Sequence, residues 1–332
     1  MVESIKKIGE QFAIEGTIKA ITTLVSGHIN DTYLVTTTTN KKYVLQKINA
    51  QVFKNVPALL ANKLLVSAHL QKMNSNYKVV EFIKSIQEDY FVLDQDLQYW
   101  NMMLFIENAI THDLATSSKL VYYAGKLYGD FIVQTASMQA NKLTEILQDF
   151  HSVPVRYKQF DQALLQAKTE TINLAKEEID FIQNCMKEMQ ELSFLKENNN
   201  FPIRVTHNDA KLSNILFNKN EEGLAVIDLD TVMPGIVHFD FGDSVRSICA
   251  TATEDETELQ KVSMNLEFYK AYCKGFAEST NNMLTKTEIE HLPLGAKTIT
   301  FIMGLRFLTD YLNNNTYYKV KYELHNLDRA KN

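Results

Sequence analysis

Hydrophobic and polar positions alternate along the first third of the chain, and the pattern then changes to a helical period. KAITTLV (19–25), TYLVTTT (32–38) and KYVLQKI (42–48) are rich in β-branched and aromatic residues, with the turn-forming stretches SGHIND and TNKK between them. That pattern predicts an antiparallel meander. From Pro57 to about Met73 the apolar positions Leu60, Leu64, Ala68 and Leu70 fit a helix entered through a proline in its first turn. YKVVEFI and YFVLD supply two more strands, giving a small sheet that carries one helix.

After Glu107 the apolar spacing is helical. Leu120, Ala124, Leu127 and Phe131 share one face, and the run from Phe160 through Leu174 and Ile182 to Met189 predicts a single very long helix over 157–195. Strand-like islands interrupt this at FPIRVT (201–206), NILFN (214–218) and LAVIDLD (224–230), and two further helices are predicted over 255–278 and 295–313. The expected fold class is α+β: a small sheet-bearing lobe over 1–104, a connection at 105–108 and a helical lobe over 109–332. Ligand sites favour clefts between such lobes.

Composition narrows the function classes. Of 332 residues 45% are hydrophobic and 22% charged, the balance of a globular protein with a real core. A net charge of −6 argues against a dedicated nucleic-acid binder. Cys185, Cys249 and Cys273 are far apart in the sequence with no metal-ligand spacing, which argues against zinc and for a reducing compartment. No apolar run has membrane-spanning length and the N-terminal segment lacks a signal-peptide pattern, so the expected location is the cytoplasm, with no membrane partner.

The chemistry is concentrated in RVTHNDAKLSNILFN followed by LAVIDLD. There His207-x-Asp209-x-x-x-x-Asn214 precedes Asp228, which ends an apolar strand. Phosphoryl transfer needs one carboxylate to orient or deprotonate the attacking hydroxyl. It also needs hard oxygen donors, here Asn214 and Asp228, to hold Mg²⁺ against the phosphates of ATP.

HNDAKLSNILF with VIDLD resembles the aminoglycoside phosphotransferase and choline kinase superfamily, relatives of the protein kinases. The fuller text, including AVIDLDTVMPG, FDFGDSVRS, LRFLTDYL and HNLDR, is similar to its N-acetylhexosamine 1-kinase branch. The resemblance implies a protein-kinase-like bilobal fold, with ATP and Mg²⁺ as cofactors and a small sugar as substrate. It implies Asp209 as catalytic base facing the sugar, Asn214 and Asp228 as metal ligands, and His207 and Asp240 as structural support. Lys47 would meet the nucleotide phosphates, with Ser26, Gly27 and Asn30 covering them. Backbone groups of Phe105, Ile106 and Glu107 would meet adenine, and Arg306 would reach sugar oxygens. His28 is either a turn residue or a substrate contact.

Some residues depart from that pattern. The phosphate loop has a single glycine, Gly27. The helix over 57–73 holds no Asp or Glu, so Lys47 lacks its expected ion-pair partner there, and Asn62 is a candidate substitute. Asp240-Phe241-Gly242 spells the protein-kinase metal motif, yet Asp228 has the spacing expected after Asn214, so the metal is assigned to Asp228. Asp230 is a weaker candidate for a second metal. Arg306 and Asp310 are four apart on one predicted helix and could equally be a simple ion pair. The competing functions are a kinase for an aminoglycoside, choline or another sugar, and an ATP-binding pseudokinase. No sequence feature speaks to oligomeric state.

Overall fold

The computed structural model describes residues 2–24, 29–73 and 76–332, with the side chain of Val2 outside the description. The chain forms two compact units, one of residues 1–111, 137–147 and 213–233, the other of residues 112–136, 148–212 and 234–332.

The first unit is built on an antiparallel sheet. Helix α1 (Val2–Gly9) leads into β1 (Ile18–Leu24), β2 (Asp31–Thr37) and β3 (Lys42–Lys47). Helix α2 (Val56–Lys72) starts where the Asn55 side chain accepts from the Ala58 N–H at 3.2 Å, with Pro57 in its first turn. Strands β4 (Phe82–Ile83), β5 (Val92–Leu93) and β6 (Tyr99–Leu104) complete a sheet of order β1-β2-β3-β6-β4, with β5 also on β6. The expected meander is present. Strand β6 was not anticipated: Trp100, Asn101 and Met102 are buried in succession, so the segment lacks the period-2 alternation that marks a half-exposed strand.

The two sheet faces carry separate apolar clusters. Tyr43, Leu45, Trp100 and Met102 pack with Ile5, Ile8 and Phe12, which extends the expected one-helix sheet by α1. Ile48 packs with Val56, Leu59 and Leu60 of α2 on the other side. The unit also holds the hairpin of β8 (Ile215–Phe217) and β9 (Gly223–Val226), in register Ile215↔Val226.

The second unit is mainly helical. It contains α3 (Ser118–Thr135), α4 (Val153–Gln166), α5 (Thr169–Leu174), α6 (Lys176–Met189), α7 (Glu191–Glu197), α8 (Val237–Ile248), α9 (Leu266–Ser279), α10 (Lys286–Leu312) and α11 (His325–Lys331). Short strands β7 (Arg204–Thr206) and β10 (Met233–Gly235) flank the loop that follows Thr206.

The single helix expected over 157–195 is instead four helices, α4 to α7, with extended backbone at Ala167 and Lys168. A straight helix of that length would run roughly 58 Å. The breaks let Phe160, Ala163, Ile179, Ile182, Met189 and Leu192 converge on one core with Ile302, Leu305 and Leu308 of α10. Residues 255–265 hold no α-helix, only a 3₁₀ turn at Leu259–Lys261, because α9 begins only at the Asn265 cap. Helix α10 starts earlier than expected and runs through Pro293. The Thr285–Glu288 capping box nucleates it upstream of the proline.

Candidate active site

The Asp209 loop belongs wholly to the helical unit up to Leu212, and side chains from distant parts of that unit bond five backbone groups between His207 and Lys211. Asp240, 1% exposed, accepts from the His207 N–H at 2.8 Å and the Asn208 N–H at 2.7 Å. The Asn208 carbonyl receives His151 Nε2 at 3.3 Å, the Ala210 carbonyl receives the Ser244 hydroxyl at 2.6 Å, and the Lys211 carbonyl receives the Tyr128 hydroxyl at 2.8 Å. Asn208 itself sits at φ +63°, a left-handed conformation that Asn tolerates better than most residues. The buried His207 ring meets the edges of Tyr128 and Phe131. Asp209, about one-third exposed, pairs with Lys211 at 2.8 Å.

Charge in this loop is tuned by burial. Desolvation raises the Asp240 carboxyl from 3.8 to about 6, opposed by His207 and by the two backbone donors. His151 is driven down to about 3, first by burial and then by the Arg306 charge, and is neutral at any physiological pH. Its Nε2 must then carry the proton given to Asn208. That leaves Nδ1 as a buried acceptor with no partner among the described residues.

Asp240-Phe241-Gly242 lies inside α8. Asp240 holds the loop, Phe241 packs on Tyr272 and Phe276, and Gly242 lets α8 close on α10. A Cβ on Gly242 would sit 2.3 Å from the Gly295 carbonyl oxygen. Arg246 pairs with Asp243 at 2.9 Å.

Arg306 does not pair with Asp310. Asp310 accepts instead from the N–H groups of Tyr317 and Tyr318 at 2.8 and 2.9 Å and from Asn326 at 2.8 Å. The turn it holds brings Tyr317 and Tyr318 to the Arg306 guanidinium, which lies 5.5 to 6.0 Å from the rings of Phe150, Tyr317 and Tyr318. Its one hydrogen bond among the described residues is a 3.6 Å contact to Met303 sulfur. Arg156 is close enough that the Arg306 charge, after burial, lowers its pKa.

The oxygen donors expected to hold a metal lie in the sheet-bearing unit. Asn214, 4% exposed, immediately precedes β8, and its carbonyl accepts from the Ile227 N–H at 2.9 Å. That bond brings Asn214 beside Asp228, which follows β9 at φ +60°. An aspartate held in the left-handed region is a strained position of the kind that clusters at functional sites. Among the described residues no group of three or more His, Cys, Asp or Glu is arranged to hold a metal. Asp230, a weaker candidate for a second metal, is engaged by Lys63 and by the Asn30 side chain.

The remaining expected residues are dispersed. Ser26, Gly27 and His28 lie outside the described residues. Asn30 accepts from the Asn49 N–H at 2.8 Å as well as donating to Asp230. Phe105 gives its N–H to the Lys42 carbonyl at 3.1 Å, and Glu107 pairs with Lys42 at 3.3 Å. Lys47 lies on the α1 face of the sheet, its Nζ 5.8 Å from the Trp100 ring. Asn62 is not its partner: it donates to the Thr144 and Val232 carbonyls at 2.8 and 2.9 Å.

The model of the phosphotransferase enzyme family matches residues 20–272, most of the chain, including the Asp209 loop, Asn214, Asp228 and Asp240. The chain belongs to that family. Among solved structures this phosphotransferase is similar to an aminoglycoside phosphotransferase from Alicyclobacillus acidocaldarius, at 12% identity and a TM-score of 0.66, covering 98% of this chain and 90% of that one. It is also similar to a microcompartment-associated aminopropanol kinase, at 14% identity and 0.65, covering 100% and 94%. A spectinomycin phosphotransferase bound to ADP and spectinomycin matches at 12% and 0.65, covering 99% and 92%. At these identities the likeness is one of fold: a small antiparallel-sheet region followed by a mostly helical one, as in kinases.

Sequence reasoning overlooked Lys63, Tyr128, His151, Lys211 and Ser244. Only Lys211 left a local signal, as a cation two residues after Asp209.

Proposed function

We propose that this phosphotransferase is an ATP-dependent small-molecule kinase that phosphorylates the anomeric hydroxyl of N-acetylglucosamine or N-acetylgalactosamine. The observation that carries phosphoryl transfer is the pinned loop. Five hydrogen bonds from Asp240, His151, Ser244 and Tyr128 hold the backbone from His207 to Lys211, so Asp209 is pre-positioned rather than recruited. Asp209 orients the acceptor hydroxyl and takes its proton. The anomeric hydroxyl is the most acidic of a sugar, so an ordinary carboxylate suffices as base.

Asn214 and Asp228 suit Mg²⁺, since both offer hard oxygen donors at the same end of one hairpin. Two protein ligands are few, and Mg²⁺ retains water and nucleotide oxygens in its shell. When bound, the ion neutralises phosphate charge. Asn30 with Ser26 and Gly27 would cover the phosphates, and the backbone of Phe105 to Glu107 would meet adenine.

The acceptor class follows from charge. Arg306 and Arg156 are mutually repulsive, and Arg306 has no carboxylate partner among the described residues. An ammonium about 5 Å from one guanidinium would be penalised by about 3 kcal/mol at an effective dielectric of about 20, roughly a hundredfold in affinity. This disfavours cationic acceptors and suits the carbonyl and hydroxyl oxygens of an acetamido sugar. His28 remains assigned to the substrate side. A cytoplasmic location accords with such a substrate, and among the described residues no helix is long and apolar enough to cross a membrane.

The test is ADP release with Mg²⁺·ATP against a panel of sugars, choline and aminoglycosides, with phosphorus NMR of the product. A 1-phosphate of either N-acetylhexosamine supports the whole reading. Turnover confined to an amine would overturn the acceptor assignment. No turnover with any acceptor, despite nucleotide binding, would favour a pseudokinase.

A further inference from the structure

The strand alternation of β3 sends Lys47 to the α1 face and Gln46 to the α2 face. The cation on the α2 face is contributed by the helix itself. Lys63 of α2 is 2% exposed, its Nζ 3.2 Å from Gln46 Oε1, 5.6 Å from the centre of the Phe82 ring, and ion-paired with Asp230. A buried lysine is retained only where its charge is matched, and Asp230 is the match.

The same helix holds the chain again two residues later. Asn62, next to Lys63, donates to the Val232 carbonyl at 2.9 Å. Helix α2 therefore holds the turn Leu229–Thr231 at two points, at Asp230 within it and at Val232 directly after it. That turn begins at Asp228, whose backbone is in the left-handed region. Asn30 meets the other oxygen of Asp230 and accepts from the Asn49 N–H, so the start of β2 and the end of β3 join the same network.

We propose that Lys63 is a positioning residue for the metal-binding aspartate: through Asp230 it fixes the turn that presents Asp228. The link has the cation on the helix and the acid on the metal-bearing turn, which explains why α2 carries no Asp or Glu. The inference rests on the assignment of Asp228 as metal ligand.

K63M alone leaves Asp230 buried without its cation and is expected to lose stability, so the decisive variant is K63M/D230L, which removes both charges. Three quantities are read: the melting temperature without ligand, the Mg²⁺-dependent thermal shift with a non-hydrolysable ATP analogue, and the half-saturating Mg²⁺ in turnover. The double variant is expected to melt within a few degrees of wild type. It should require ~10-fold or more Mg²⁺ for both the shift and turnover, as for loss of a group that orients a metal ligand, with an unchanged acceptor KM. K63R, which keeps the pair, should restore the wild-type Mg²⁺ dependence. A double variant with wild-type Mg²⁺ dependence overturns this inference alone. A wild-type protein with no Mg²⁺-dependent shift overturns it together with the metal assignment.

Discussion

Replacing Asp240 by asparagine keeps the shape of the group beneath the Asp209 loop and removes its charge. The carboxylate accepts from two backbone N–H groups at 2.7 and 2.8 Å, and an amide presents only one acceptor oxygen. One charge-assisted bond is lost, about 1.5–3 kcal/mol, and an N–H donor now faces an NH₂ group. Against this, burial has raised the carboxyl from 3.8 to about 6. At about 1.4 kcal/mol per pH unit, the ionised form carries a folded-state penalty of about 3 kcal/mol that the amide does not. That penalty already counts the two backbone bonds, so only the donor–donor contact stands against it, and D240N at pH 8 should melt at or a few degrees above wild type. The loop should shift, and kcat should fall by about 10²-fold, the scale of an ångström's misplacement of a reacting group.

The sign of the pH dependence is fixed by the direction of the shift. A carboxyl whose pKa is raised on folding contributes stability that is fully present below 3.8 and is lost as pH rises through about 6. The unfolding free energy of wild type relative to D240N should therefore decline by about 3 kcal/mol between pH 4 and 7 and be flat above. Urea titrations at several pH values, with kcat from ADP release, measure both quantities. Unchanged kcat, or a wild-type-to-variant difference that is flat across that window, would refute the reasoning.

Other expectations concern separate parts of the molecule. D209N should lower kcat by ~10²–10⁴-fold with nucleotide affinity retained, measured by steady-state kinetics and calorimetry; near-normal turnover would remove Asp209 as base. R306A should raise the acceptor KM by about 10-fold while leaving the KM for ATP unchanged; equal effects on both would place Arg306 outside the acceptor site. Glu288, fully buried, takes Arg204 in two bonds of 2.6 and 2.8 Å and closes the cap of α10. E288Q should destabilise the fold by about 3 kcal/mol near neutral pH. Although burial opposes it, the Arg204 and Thr285 bonds hold the Glu288 pKa below 4.5. Its contribution is present above that value and lost as pH falls through the lower folded value, so variant and wild type should converge in acid.

Local periodicity was enough to place the meander and the proline-entered helix. Those features depend on neighbours two to four residues apart, and such neighbours are written side by side in the chain. The partners of the Asp209 loop were not visible, because Tyr128, His151, Asp240 and Ser244 come from separate segments and meet it only after the helices pack. The Asp-Phe-Gly triplet could be set aside by spacing, but its use in closing α8 on α10 needed the packed helices. The break of the long predicted helix into four likewise depended on a core shared with α10.

Strand β3 shows the division most clearly. The sequence alone identified it and the lysine on it, and alternation dictated that Gln46 and Lys47 face opposite sides. Which side faces α2 was decided by the cluster that Ile48 joins and the one that Tyr43 and Leu45 join. A one-residue change of register exchanges the two faces of a strand, so only tertiary packing could give the helix side to Gln46 and leave the buried cation to Lys63.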